Sequence, residues 1–111
     1  MLIHADANAF NKLLDNKSTF VVDFFATWCG PCKMMGAVLE KVAPEQNFDI
    51  LKIDIDENPQ LAESYGVMVV PTLLFIKNGE VVGRESGFFS QDKFTDLVAQ
   101  YLKKKKKSGL G

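Results

Sequence analysis

Cys29 and Cys32 are the only cysteines in the chain, and Gly30 and Pro31 separate them. They follow an apolar run, Phe20 to Ala26, and precede a stretch whose apolar residues recur with helical spacing. A thiol pair on a strand-to-helix turn is placed for redox chemistry. The helix N-terminus presents unsatisfied N–H groups and about half an elementary positive charge. That field favours the thiolate, the form that attacks sulfur. Cys29, at the helix mouth, is expected to be the more exposed and more acidic thiol, and so the nucleophile that forms a mixed disulfide with a substrate. Cys32, one turn inside, would resolve that intermediate by attacking Cys29. Pro31 fits the first turn without losing a helical hydrogen bond and fixes the backbone between the sulfurs.

Other uses of the pair are weaker. A structural zinc site needs four ligands, and the chain adds only one histidine, His4, far away in sequence. A static disulfide would close a very short loop and constrain the unfolded chain little. Asp23 stands inside the apolar run, six residues before Cys29. Burial would raise its pKa and let it exchange a proton with Cys32 near neutral pH. It could equally face a local pocket of water, and the pattern does not choose. Lys52 is a candidate partner for Asp23, although pattern alone favours a surface lysine on a half-exposed strand.

The elements that must hold these residues follow from periodicity. Asp6 can cap a first helix with Phe10, Leu13 and Leu14 on one face. Thr19 to Ala26 reads as a strand buried on both faces. Met35, Val38, Leu39 and Val42 share a helix face, and Pro44 should end or kink that helix. Phe48 to Asp56 reads as a second strand, with Leu51, Ile53 and Ile55 on one face. Asn58-Pro59 marks a helix start with Asn58 as N-cap, and Gly66 suits its end. Thr72 to Lys77 and Glu80 to Arg84 flank the hairpin pair Asn78-Gly79. Ser90 can cap a last helix that turns Phe94, Leu97, Val98, Tyr101 and Leu102 inward. The order implies a mixed sheet with helices on both faces.

The 111 residues suit one domain able to build its own core. Thirteen basic and fourteen acidic residues give a net charge of −1. Without Lys103 to Lys107 the balance is eight against fourteen, a net of −6, so an acidic body carries a basic tail. That body argues against nucleic-acid binding. No apolar stretch approaches the ~20 residues of a membrane span. The start lacks the features of an export signal, so a cytoplasmic location is expected.

At Val22 to Met34, Ile53 to Pro59, Val70-Pro71-Thr72 and Lys77 to Glu80 the chain resembles the thioredoxin family, over roughly residues 3 to 102. Trp28-Cys29-Gly30-Pro31-Cys32-Lys33 is the most specific part. The resemblance implies an α/β thioredoxin fold in three layers, α/β/α, with a central mixed sheet of four to five strands flanked by four helices. It implies one domain over 1–102; 103–111 lies beyond the family's usual end and, as a charge run, is expected to be a disordered basic extension or, alternatively, a weak contact to an anionic surface. It implies a cis peptide bond before Pro71 and a proton-transfer role for Asp23 at Cys32, tuned by Lys52. It also implies a docking rim of Trp28, Gly30, Pro31, Val70, Pro71, Gly87 and Phe88 around Cys29, with Phe88 or Phe89 packing in the core instead.

The expected function is general protein-disulfide reduction. No cofactor or metal would be bound, and electrons would arrive from NADPH through thioredoxin reductase. Disulfide-containing proteins would be the clients and a monomer the working form. The alternatives are a binding module or a specialised thiol carrier with few partners, and an oxidase or isomerase, which Pro31 before Cys32 argues against. Two positions depart from the family's pattern. Gly36-Ala37 stands where a helix proline is usual, implying a softer kink or local flexibility. Val69 stands where many members have glycine, which bears on the shape of the rim.

Overall fold

The computed structural model describes residues 1–103. Five strands form one sheet: β1 (Leu2–His4), β2 (Phe20–Phe25), β3 (Asp49–Asp54), β4 (Thr72–Lys77) and β5 (Glu80–Ser86), in the spatial order β1-β3-β2-β4-β5. The helices are α1 (Ala7–Asp15), α2 (Gly30–Val42), α3 (Pro59–Ser64) and α4 (Gln91–Val98). β1, β3 and β2 run parallel, and β4 and β5 pair antiparallel, so the sheet is mixed as expected. The expected basic tail falls outside the described residues except for Lys103.

β2 is the central strand, and its apolar run reflects burial on both faces. Phe20, Val22 and Phe24 pack with Phe10 of α1 and Leu61 of α3. Val21, on the opposite face, packs with Met35 and Leu39 of α2 and with Phe94 and Leu97 of α4. Side chains alternate between the faces of a strand, so Asp23 shares the face of Val21 and lies under α2. Asp6 caps α1 by accepting the Ala9 N–H at 3.0 Å, and Ser90 caps α4 by accepting the Lys93 N–H at 3.2 Å. α2 stops at Val42, and Pro44 sits in the 3-10 turn Ala43–Glu45 that follows. Asn78 and Gly79 both have positive φ, 53° and 81°, which matches the twist of a tight hairpin.

The structure adds and corrects. β1 has no counterpart in the periodicity, because three residues are too few to alternate. Asn58 precedes α3 but does not cap it with its side chain. Its Oδ1 instead accepts the Ala7 N–H at 3.0 Å, and its Nδ2 donates to the Asp54 carbonyl at 3.1 Å. It ties the start of α1 to the end of β3. Past α4 the chain widens into a π turn, Ala99–Lys103, which lays Tyr101 over β5.

A Cβ at Gly83 would stand 2.5 Å from the Tyr101 ring. Gly83→Ala is therefore expected to destabilise the fold by about 1–3 kcal/mol through overpacking. Urea unfolding checks this, and adding Tyr101→Ala should recover part of the loss by removing the obstruction.

Candidate functional site

The turn after β2 brings the two cysteines together. Cys29 is the N-cap of α2 in extended geometry, and its Sγ accepts the Cys32 N–H at 3.1 Å. The nucleophile expected from the sequence thus also satisfies one of the helix's open donors. α2 begins at Gly30, with Pro31 in its first turn. The cysteines are joined as a disulfide with a Cα–Cα distance of 5.2 Å. Both are nearly covered, Cys29 at 5 % exposure and Cys32 at 2 %.

Val70 and Pro71 meet the dithiol from the far side of the turn. Their peptide bond is cis. The Val70 carbonyl oxygen lies 3.5 Å from Cys29 Sγ, where the thiol of the reduced state can donate to it. A groove of about 470 Å³ opens here, between Trp28, Cys29, Gly30 and Pro31 on one side and Val67 to Val70 on the other. None of its lining side chains is charged. Trp28 is 69 % exposed, with its indole N–H held by the Asp56 carboxylate at 2.8 Å. Met68 and Val69 are 91 % and 54 % exposed.

The other expected rim residues lie further back. Pro71 is buried, and its carbonyl accepts the Gly87 N–H at 2.8 Å, with Gly87 at φ 86°. Neither residue lines the groove, nor does Phe88, which is exposed while Phe89 packs in the core. Asp56, Ile55, Val67 and Met68 carry no site signal in the sequence. Ile55 and Asp56 read only as the end of the second strand, and Val67 and Met68 receive no role from pattern.

Asp23 is fully buried, and neither carboxyl oxygen has a hydrogen-bond partner among the described residues. Desolvation pushes its pKa up to about 7, against the opposing pull of the Lys52 ammonium. Lys52 is its direct neighbour across the parallel β2–β3 pair. The Lys52 Nζ stands 4.5 Å above the Phe25 ring. A cavity of about 250 Å³ runs between Lys52 and Cys32 past Phe25 and Thr27. Lys52 is therefore half-buried under α2 instead of being a solvated strand lysine.

Gly36 gains a physical account from this arrangement. A Cβ on Gly36 would come within 3.1 Å of the Lys52 Nζ. α2 runs unbroken from Gly30 to Val42 across this position. The glycine leaves room for the ammonium.

A reversible disulfide at a helix N-terminus, an apolar groove beside its outer sulfur and a buried acid poised near neutrality define a dithiol–disulfide oxidoreductase. The thioredoxin family profile matches residues 1–100. Thioredoxins of Staphylococcus epidermidis and Staphylococcus aureus are each 46 % identical over 84 residues, spanning 74 % of this chain and 81 % of theirs. The structure of reduced Schistosoma mansoni thioredoxin pre-protein superposes with a TM-score of 0.81 at 35 % identity, covering 91 % of this chain and 98 % of that one. A mutant thioredoxin from Halobacterium salinarum gives 0.78 at 37 %, over 91 % and 88 %.

The chain belongs to the thioredoxin family. Thioredoxins act through their own cysteine pair and carry no cofactor. Among the described residues, no three His, Cys, Asp or Glu side chains converge on a metal position, and no helix is long and apolar enough to cross a membrane.

Proposed function

We propose that this protein is a general reductant of protein disulfides, working as a cytoplasmic monomer with residues 1–102 as its single domain. The placement of Cys29 carries the reading: a helix-capping sulfur at the floor of an uncharged groove, beside the Val70 carbonyl.

In the reduced state the Cys29 thiolate attacks one sulfur of a client disulfide. The client S–S bond breaks, a mixed disulfide forms, and one client thiolate leaves. Cys32, deprotonated with Asp23 as proton acceptor, then attacks Cys29 Sγ. The second client thiolate is released and the Cys29–Cys32 disulfide closes. Two electrons pass to the client, and its two sulfurs leave as thiols. Lys52 moderates the basicity of Asp23, while Gly30 and Pro31 set the turn between the sulfurs. Trp28 and Val70 hold the client chain in an extended conformation, Pro71 backs Val70 from beneath, and Gly87 supports Pro71. Phe88 extends the apolar surface beyond the groove. An NADPH-linked thioredoxin reductase returns the pair to the dithiol.

The direct test is reduction of insulin by dithiothreitol, with and without this protein, followed by turbidity. Strong acceleration, and turnover when NADPH and thioredoxin reductase replace dithiothreitol, are expected. No acceleration by the folded, reduced protein would overturn the reading.

A further inference from the structure

One wall of the groove is the segment from Val67 to Val70, and it leaves α3 through Tyr65 and Gly66. Helix ends leave carbonyl oxygens without intrahelical partners. The Leu61, Ala62 and Glu63 carbonyls accept the N–H groups of Tyr65, Val67 and Gly66, and the next two carbonyls, of Tyr65 and Gly66, are taken by a residue from another element. Arg84 of the edge strand β5 donates through Nη1 to the Gly66 carbonyl at 3.2 Å and through Nη2 to the Tyr65 carbonyl. Arg84 pairs with Leu74 across the hairpin, and Leu74 packs in the α1/α3 core, so the guanidinium emerges on the side where α3 lies. A cation at a helix C-terminus also complements the helix dipole.

The far end of the same segment is tied to β5 as well. The Thr72 hydroxyl donates to the Val69 carbonyl at 2.6 Å and stands 3.3 Å from the Ser86 hydroxyl. The Gly87 N–H donates to the Pro71 carbonyl at 2.8 Å. Between these ties the outer side chains, Met68 and Val69, are largely exposed and have little packing of their own. Their position relative to Cys29 therefore depends on how the backbone is anchored at its two ends. The nearby carboxylate does not compete for Arg84, since Glu85 faces Tyr101 and Lys93.

We infer that Arg84 is a positioning residue for client recognition: by holding the Tyr65 and Gly66 carbonyls it sets the groove wall that protein substrates dock against. This rests on the reductase reading of the same site. Arg84 touches neither the dithiol nor Asp23, so its effect is confined to substrates large enough to lean on the wall.

The test compares wild type, Arg84→Gln, Arg84→Lys, Met68→Gly and the Arg84→Gln/Met68→Gly double variant. Kinetics are measured on insulin and on the small disulfide dithiobis-nitrobenzoate, together with the dithiol equilibrium against glutathione. In Arg84→Gln the KM for insulin is expected to rise about five-fold at unchanged kcat, the scale of losing one ordinary hydrogen bond. The nitrobenzoate rate and the glutathione equilibrium should not move. Arg84→Lys keeps the charge but cannot span both carbonyls, and is expected to recover part of the KM. The Arg84→Gln and Met68→Gly effects should combine to less than their product, because both act through one wall.

An unchanged KM in Arg84→Gln overturns the inference. So does an equal loss on insulin and on nitrobenzoate, which marks general damage to the fold. Wild type inactive on insulin would bring down the reductase reading and this inference together, whereas an active wild type with an indifferent Arg84→Gln removes the inference alone.

Discussion

Cys29→Ser is expected to leave insulin reduction at the rate of dithiothreitol alone, while Cys32→Ser is expected to accumulate covalent complexes with client proteins. The first variant loses the cysteine sulfur that lines the groove. Its fold should survive, because serine is a strong N-cap and can accept the Cys32 N–H that Sγ now accepts. The loss then reads as chemistry, on the order of a thousand-fold or more for removal of a nucleophile. The second variant can still attack a client disulfide, but nothing remains to displace the client from Cys29. Mass spectrometry of the trapped species checks the assignment: complexes joined through Cys29 agree with it, and complexes joined through Cys32 in the Cys29 variant reverse it.

Asp23→Asn is expected to make the protein more stable above pH 7 and to remove a pH dependence that wild type shows. The carboxyl of Asp23 titrates near 3.8 when unfolded and near 7 when folded. Between those values the folded state holds a proton that the unfolded state has released. Wild-type stability therefore falls as pH rises from about 4 to about 7, and the difference becomes constant above that range. At about 1.4 kcal/mol per pH unit the full span is about 4 kcal/mol. Chemical unfolding of both proteins from pH 4 to 9 checks this, since the other titrating groups cancel in the difference. A parallel pair of curves would show that burial does not raise the Asp23 pKa. The same substitution should slow release of the mixed disulfide at neutral pH by about a hundred-fold, the usual scale for a lost general base. Stability gained and turnover lost would then trace to one carboxylate.

Much of this architecture is readable from local pattern. The unbroken run of β2 gives away a central strand, Asn78-Gly79 a tight hairpin, and Asp6 and Ser90 two helix starts, because each signal acts within a few residues. What cannot be read depends on partners distant in sequence. Asn58 has the residue type of a cap, yet its side chain is engaged by Ala7 and Asp54. Gly36 has the type of a flexible point, yet it is the space beside an ammonium 16 positions on. Lys52 reads as solvated because strand periodicity says nothing about which helix covers it. Met68 carries no signal in the sequence because apolar type alone does not reveal exposure.

β1 and β5 form the rims of the sheet, and each is unsuited to templating another chain. β1 offers three residues. β5 carries Glu80, Arg84 and Glu85 and faces an irregular register between Phe75 and Ile76. Short, charged and bulged borders discourage strand addition by a second molecule. A dithiol–disulfide oxidoreductase that holds a client by one covalent bond, with the client docked at Val70 as proposed above, thus offers that client no second backbone template. Once the bond is exchanged away, neither border of the sheet is expected to retain the released chain or to nucleate its aggregation.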